Sequence, residues 1–487
     1  MTSTQERYDL VILGSGSTAF AAALHAAELG KSVIMTESRT VGGTCANRGC
    51  LPSKNLIEAA RLVYDAAHPR YPGLSPVHMP VNWTELVTQK DEIIREYRAH
   101  KYENLLDGPD HIRIASGQAR LVSDHEVEVQ GAGGVRRLVG EQILIATGSL
   151  PGIPDVPGLS DVPYLTSDLL SAADDPWETE LREQPRSLLI LGGGYIALEL
   201  GQMFARFGIE VTLVTRGKSI LSDYEPEIAE ALTKILQEEG LHIVTGAQVR
   251  SVERSQEGIA LTVKRHASQH TFNAEKLLVA TGRRPNTQEI GLERAGVEVD
   301  QAGAVRVNRT LRTNIPHIWA AGDVIGGETG SQMATPVGAR DGKIAAHNAL
   351  SGEPLREVDH LVIPRVIFTD PQVAVVGMTD EEANAAGIAC ECNTIPLSVV
   401  PRAGAIRDTR GVIKMVLEGP TRRVVGVSML GVNAGEVIHE AAMALRFGAT
   451  TDDFIDLMHV YPTMAEALKL VAISFTKDVN RLSCCAS

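Results

Sequence analysis

The chain contains the same local pattern twice: a short apolar strand, a glycine-rich turn, a helix and a second strand. The first copy has an apolar strand at residues 7–13, an alanine-rich helix that extends to residue 29, and a strand at residues 32–37. The second copy opens at residue 187 and closes with a strand at residues 211–215. Each copy is a βαβ unit with a glycine turn of the kind that holds a pyrophosphate. The repeat therefore predicts an α/β fold with two separate dinucleotide-binding domains.

The first glycine turn has the form GxGxxA, at Gly14, Gly16 and Ala19. Gly14 permits the tight turn, Gly16 lets the backbone approach a pyrophosphate, and Ala19 lets the helix pack closely. Glu37 ends the next strand, where a carboxylate can hold ribose hydroxyls. This arrangement predicts FAD, against the alternative of a purely structural turn.

The second turn contains Gly192, Gly194 and Ala197, and no acidic residue ends its following strand. Arg216 and Lys218 occupy that place, where cations can meet a 2′-phosphate. We therefore expect NADPH rather than NADH. The alternative is that these are two solvated surface cations.

The remaining chain suggests a division into four segments. Two Ala-Thr-Gly turns, one with Thr147 and Gly148 and one ending at Gly282, close the two nucleotide units. We predict an FAD-binding domain at 1–150, an NADPH-binding domain at 151–282, a return to the FAD-binding domain at 283–360, and a separate α+β module at 361–487. The chain has the length for several domains of ordinary size.

The most specific stretch begins at Gly43-Thr44-Cys45 and continues to Cys50, Pro52 and Lys54. Pro52 is typical of a first helical turn, so we expect Cys50 at a helix N-terminus. There the helix dipole lowers the pKa of a thiol. Four intervening residues allow the two sulfurs to form a disulfide. The alternative, two structural cysteines, fits poorly beside FAD-binding glycines.

These motifs resemble the pyridine nucleotide-disulfide oxidoreductases over essentially the whole chain. The resemblance implies that Cys50 is the thiolate beside the flavin and that Cys45 exchanges with substrate. It also implies that Lys54 pairs with Glu199 near the flavin, that Tyr195 gates the nicotinamide pocket, and that Gly322 and Asp323 form a flavin-binding turn. For Tyr195 the alternative is ordinary packing at a helix start. The family further implies that 361–487 is a dimerisation domain and that the protein is a homodimer whose active sites are shared between subunits.

Two C-terminal features select a branch of that family. Disulfide-reducing members carry a histidine before Pro-Thr, whereas this chain has Tyr461. A tyrosine, with a reference pKa near 10, is a poor proton shuttle for a thiol at neutral pH. His459 is the alternative base, since on a strand it would share the face of Tyr461. Cys484 and Cys485 form a terminal pair suited to a soft metal ion.

Together these features resemble the mercuric reductases, in which Cys45, Cys50, Cys484 and Cys485 would bind the metal. The substrate would be Hg(II) carried by two thiols, reduced to Hg(0). An NADPH-dependent disulfide reductase is the enzyme alternative, and a non-catalytic metal-sequestering flavoprotein is the alternative of another class. The flavin strand starts within the first ten residues, so we expect no N-terminal metal-binding domain. Cys390 and Cys392 could receive metal, although alternate cysteines are usually incidental.

Composition excludes several other partners. The net charge of −14 disfavours nucleic acid and anionic membranes. The apolar run at residues 10–29 is interrupted by glycine and serine and lacks a basic leader, so we expect neither a membrane span nor a signal peptide. Six cysteines in 487 residues do not make a disulfide scaffold, and they fit a cytoplasmic enzyme with a few working thiols.

Overall fold

The computed structural model describes residues 5–106, 112–175, 182–327, 330–352 and 354–482. The part of the chain from residue 6 to residue 151 carries the first nucleotide unit and the cysteine motif. Its elements are β1 (Glu6–Leu13), α1 (Ser17–Glu28), β2 (Val33–Glu37), α2 (Gly43–Arg48), α3 (Cys50–Ala67), α4 (Trp83–Lys101), β3 (Arg113–Ser116), β4 (Gln118–Leu121), β5 (Glu126–Gly131), β6 (Gly134–Ile145) and β7 (Ser149–Pro151).

The part of the chain from residue 187 to residue 285 repeats the unit and adds a three-stranded antiparallel sheet. Its elements are β8 (Ser187–Leu191), α5 (Tyr195–Arg206), β9 (Glu210–Val214), α6 (Pro226–Glu238), β10 (His242–Val244), β11 (Gln248–Ser255), β12 (Gly258–Arg265), β13 (Ser268–Ala274), β14 (Lys276–Val279) and β15 (Arg283–Pro285).

From residue 292 onward, the chain first returns to the first sheet and then builds a separate sheet. The return contains α7 (Leu292–Ala295), β16 (Ile318–Ala320) and α8 (Thr335–Ser351). The final segment contains β17 (Arg365–Ile367), β18 (Gln372–Gly377), α9 (Asp380–Ala385), β19 (Cys390–Pro396), α10 (Pro401–Ala405), β20 (Val412–Glu418), β21 (Arg423–Gly431), α11 (Ala434–Phe447), α12 (Thr451–Asp456) and α13 (Glu466–Ile473).

The first sheet has β1 at its centre, with strand order β3-β2-β1-β6-β5-β4. β1 runs parallel to both β2 and β6, and its residues 10–13 are completely buried. Burial on both faces is typical of a parallel sheet covered by helices. β16 joins this sheet by pairing in parallel with β6, so the chain returns to the first sheet after leaving the second. The β6-β5-β4 edge of the first sheet is antiparallel, whereas every pair of the second sheet, β10-β9-β8-β14, is parallel. The predicted α/β fold is therefore confirmed.

The C-terminal module is an antiparallel sheet of order β17-β18-β21-β20-β19, covered by α11 and α13. It leaves a set of large apolar side chains at the surface: Met443, Phe447, Leu457, Met458, Val460 and Tyr461. Such an exposed apolar patch marks a protein–protein contact. Among the described residues, no helix has the length and apolarity needed to span a bilayer.

The packing of α1 on α8 generates the first prediction. A Cβ on Gly342 would lie 2.2 Å from the carbonyl oxygen of Thr18. Gly342→Ala should therefore push the two helices apart, at roughly 1–3 kcal/mol of unfolding free energy. The thermal denaturation midpoint, followed by circular dichroism at fixed protein concentration, should fall. Gly404→Ala is the matched control, since nothing lies within 4 Å of the added Cβ. Equal midpoints for the two variants would contradict this account of the packing.

Candidate active site

Two other backbone segments lie close against the first glycine turn, and neither leaves room for a side chain. Gly14 has a φ of +113°, and a Cβ there would lie 2.4 Å from the carbonyl oxygen of Ala146, at the Ala-Thr-Gly turn. A Cβ on Gly43 would lie 2.6 Å from the Cα of Gly16. Any side chain at these positions would fill the space above the start of α1. The glycines thus hold open a cradle at a helix N-terminus, where backbone N–H groups attract phosphate.

Glu37 lies at the end of β2, as predicted, beside an open cleft of about 420 Å³. Its carboxylate accepts hydrogen bonds from the Ser15 hydroxyl at 2.5 Å and from the Arg39 backbone N–H at 2.6 Å. The cleft continues past Gln118 and Gly131. A carboxylate fixed at the rim of a cleft, next to a phosphate cradle, fits the ribose and base of an adenine dinucleotide.

The cysteine pair spans the junction of α2 and α3. Cys45 lies within α2, Gly49 is the N-cap of α3, and Cys50 is the first residue of that helix, as predicted. Both are free thiols, with Cys45 half-buried and Cys50 exposed. Proximity to the helix N-terminus favours the anionic form of Cys50.

The two thiols share one hydrogen bond, which makes them chemically unequal. Donation from Cys45, aided by the Lys54 charge and the Thr335 hydroxyl, lowers the pKa of Cys50 to about 6 against the effect of desolvation. The same donated bond, followed by burial, raises the pKa of Cys45. At neutral pH the pair is therefore a Cys50 thiolate and a Cys45 thiol.

Lys54 and Glu199 form the ion pair that the resemblance implied. Lys54 Nζ lies 2.7 Å from Glu199 Oε2, and Glu199 is buried in α5. The other carboxylate oxygen, Glu199 Oε1, accepts the backbone N–H of Phe368 at 2.8 Å. Lys54 also lies 4.6 Å from the centre of the Phe368 ring. The pair connects the cysteine helix to the helix of the second glycine turn and to the C-terminal module.

Thr335 is a site residue that the sequence reasoning missed. Its hydroxyl lies 3.9 Å from Cys50 Sγ, although the two residues are 285 positions apart. The available signal was the Thr335-Pro336 pair, which is typical of a helix start after a strand and turn. At the preceding turn, Gly322 has a φ of +79° and packs on Thr18. Asp323 accepts a 2.7 Å hydrogen bond from Ser149.

The second glycine turn has the same construction as the first. Gly192 has a φ of +135°, and its Cβ would lie 2.1 Å from the carbonyl oxygen of Ala280. Gly194 is the N-cap of α5, and Tyr195, 43% exposed, begins that helix. β9 ends at Val214, so Arg216 and Lys218 follow the strand and are exposed to solvent.

The remaining predicted residues lie on the C-terminal module. No strand spans the segment around His459, whose side chain is 5% exposed and whose Nε2 lies 2.9 Å from Glu440 Oε1. His459 and Tyr461 therefore do not share a strand face, so the geometry that would make His459 the alternative base is not present. Tyr461 is 47% exposed and belongs to the apolar patch. Cys484 and Cys485 lie outside the described residues. Cys390 and Cys392 lie on β19.

Comparisons with known proteins agree with this geometry. Residues 8–342 match the family model "Pyridine nucleotide-disulphide oxidoreductase", and residues 363–472 match its dimerisation domain. A mercuric reductase of Streptomyces lividans is 42% identical over 488 residues, covering 100% of both chains. One of Lysinibacillus sphaericus is 40% identical, covering 99% of this chain and 85% of the relative. A Cu(II) complex of the Escherichia coli HOCl-induced flavoprotein disulfide reductase RclA has a TM-score of 0.83 at 31% identity, covering 97% of this chain and 100% of that chain.

The unequal thiol pair predicts a pH-dependent spectrum. With flavin bound and the cysteines reduced, a thiolate-to-flavin absorption band should rise as the pH increases through about 6, because Cys50 ionises there. Lys54→Met removes a cation that stabilises the thiolate, so the midpoint should move to higher pH. Lys234→Met, at an exposed site on α6, is the control and should leave the midpoint unchanged. A band that survives in Cys50→Ser would refute the assignment of the thiolate.

Proposed function

The chain belongs to the pyridine nucleotide-disulphide oxidoreductases, in their mercuric reductase branch, and from that membership we propose how its residues perform the reaction. The protein is a homodimeric FAD enzyme that uses NADPH to reduce Hg(II) to Hg(0). The observation that carries this assignment is similarity along the whole chain to mercuric reductases. The unequal pair of Cys45 and Cys50 supports placing the reaction there.

The two glycine cradles fit the two nucleotides. In our proposal FAD is held by these residues of the 1–150 and 283–360 segments: Gly14, Gly16, Ala19, Glu37, Gly43, Thr44, Lys54, Thr147, Gly148, Gly322 and Asp323. NADPH is held by these residues of the 151–282 segment: Gly192, Gly194, Ala197, Arg216, Lys218 and Gly282. FAD held in the first cradle would supply two-electron transfer from NADPH to the cysteine pair. Tyr195, exposed at the start of α5, covers the nicotinamide site until NADPH displaces it.

Cys45 and Cys50 bind the metal and fix where it is reduced. Cys45 displaces one incoming thiol ligand from Hg(II), and the Cys50 thiolate displaces the second. The proton of Cys45 leaves on a departing thiolate. Two electrons then convert the bound ion to Hg(0), both sulfur–metal bonds break, and both cysteines remain as thiolates. The reduction itself consumes no proton, which agrees with a tyrosine at position 461 where disulfide reductases keep a histidine.

Tyr461 and the terminal cysteines act from the other subunit in this proposal. Tyr461 is exposed on the apolar patch of the dimerisation module, so dimer formation can bring it to a partner's cysteine pair. Its hydroxyl would donate to a thiolate or approach the bound metal. Cys484 and Cys485 would capture Hg(II) and pass it to Cys45 and Cys50, since a tethered pair presents the metal at high effective concentration.

We also place the reaction in the cytoplasm. The four described cysteines are free thiols, as expected where cellular reductants keep thiols reduced. NADPH is available in the same compartment.

One steady-state experiment tests the function directly. NADPH oxidation, measured with excess monothiol, should depend on added Hg(II) and should be slow with disulfide substrates. Disulfide reduction is the second candidate, because the similar RclA structure is named a flavoprotein disulfide reductase. Fast turnover with a disulfide and none with Hg(II) would favour that candidate. Hg(II) binding without NADPH oxidation would indicate sequestration.

The cations after β9 predict the coenzyme preference. Arg216→Glu should reduce the preference for NADPH over NADH by about ten- to a hundredfold in kcat/KM, since a charge-assisted hydrogen bond contributes roughly 1.5–3 kcal/mol. Lys264→Glu, an exposed charge reversal on β12, is the control and should not change the ratio. Equal kcat/KM for the two coenzymes in the wild type would contradict the proposal.

Shared active sites predict complementation between inactive subunits. Cys45→Ala and Tyr461→Phe homodimers should each reduce Hg(II) more slowly than the wild type, and Tyr461→Phe should keep normal flavin reduction by NADPH. Unfolding and refolding the two together should give heterodimers with one complete site and recovered Hg(II) turnover. Refolding each variant alone is the control. If mixing recovers no activity, each site is built within one chain.

A further inference from the structure

Two cysteines outside the active site lie on one face of an edge strand. Cys390 and Cys392 are separated by one residue on β19, the last strand of the C-terminal sheet, so their side chains share a face. Both sulfurs reach the same residue at the start of α9. Cys390 Sγ donates to the Asp380 carbonyl oxygen and Cys392 Sγ to Asp380 Oδ2, each at 3.8 Å. The two thiols therefore converge on one acidic residue.

The surroundings of these thiols carry an excess of negative charge. Lys414 Nζ lies 2.8 Å from Asp380, 2.8 Å from Glu225 and 3.0 Å from Glu227. Three carboxylates thus surround one ammonium group. The net negative charge of this cluster attracts a cation. A metal ion that binds both sulfurs replaces their protons.

The number of ligands available at Cys390 and Cys392 determines which kind of metal ion can bind there. Within the described part of the chain, the cluster of three residues with metal-ligand spacing is Asp124, His125 and His317, on the first domain. Among the residues that the structure describes, no third histidine or cysteine completes such a cluster at Cys390 and Cys392. Structural zinc requires four ligands and hard cations require oxygen cages, so neither fits. A soft ion that is satisfied by two thiolates does fit.

We propose that Cys390 and Cys392 form a second Hg(II)-binding site, built on the edge strand of the dimerisation module. Binding is a ligand exchange without electron transfer: two bonds from Hg(II) to carrier thiols break, and two bonds to the cysteines form. The two cysteine protons leave on the departing carrier thiolates. Cys390 is half-buried and Cys392 is exposed, so a carrier complex can reach them from solvent. The site stores the ion and takes no part in reducing it.

The test uses the flavin-loaded dimer with the other four cysteines replaced. The variant Cys45→Ser/Cys50→Ser/Cys484→Ser/Cys485→Ser keeps Cys390 and Cys392 from the six cysteines of the chain. After incubation with Hg(II) bis(glutathione) and gel filtration, one Hg(II) per subunit should remain, with both thiols protected from alkylation. Adding Cys390→Ser or Cys392→Ser should weaken retention by about a hundredfold or more, because the second attachment is lost.

Several results would overturn the proposal. These are no retained Hg(II) in a dimer that still holds flavin, two ions per subunit, or retention by either single-cysteine variant equal to that of the two-cysteine parent. A second measurement avoids dependence on the multiple variant. In the wild type, saturating Hg(II) should protect the peptide containing Cys390 and Cys392 from alkylation, as read by mass spectrometry. Lack of protection there would also overturn the proposal. No NADPH is used, so either outcome leaves reduction at Cys45 and Cys50 to be judged separately.

Discussion

The close contact between two backbone turns brings together the phosphate cradle and the cysteine motif, where we propose that the chemistry takes place. The turn after β1 and the start of α2 approach so closely that Gly43 has no room for a side chain against Gly16. This contact places the cysteine motif directly beside the phosphate cradle of the first domain. The N-terminus of α1 and the cysteine pair of α2 and α3 therefore belong to one site.

Ion pairs then fix the cysteine motif against the rest of the chain. Arg39 bonds Asp168 at 2.6 Å and Asp175 at 2.9 Å, and Arg48 of α2 lies 3.3 Å from the buried Asp175. On the other side, Lys54 of α3 pairs with Glu199 of α5. Removing one partner of a buried pair leaves an uncompensated charge, so these contacts resist displacement of α2 and α3. The same Lys54 that connects the domains also lowers the pKa of Cys50. Structural attachment and thiolate activation are thus linked in one residue.

The features that could be predicted from the sequence depend on neighbouring residues, whereas the features that only the structure shows depend on contacts between distant segments. The glycine turns, the helix start at Cys50 and the α/β class follow from short-range rules, since each rests on a few neighbouring residues. Thr335 could not be found in this way, because its contact with Cys50 joins distant segments. The position of His459 also depends on tertiary packing, because its imidazole lies against Glu440 in a segment that forms no strand. The proposed action of Tyr461 at a partner subunit's site stays a prediction, as do the roles of the other site residues.

The central claim is that electrons reach Hg(II) only after the ion is bound by Cys45 and Cys50. Single-turnover stopped-flow measurement tests it most directly: flavin is first reduced with one equivalent of NADPH and then mixed with Hg(II) bis(glutathione). The account predicts rapid return of oxidised-flavin absorbance in the wild type and none on that timescale in Cys45→Ser. Reoxidation of the Cys45→Ser variant at the wild-type rate would show that the metal is reduced elsewhere, and would contradict the account.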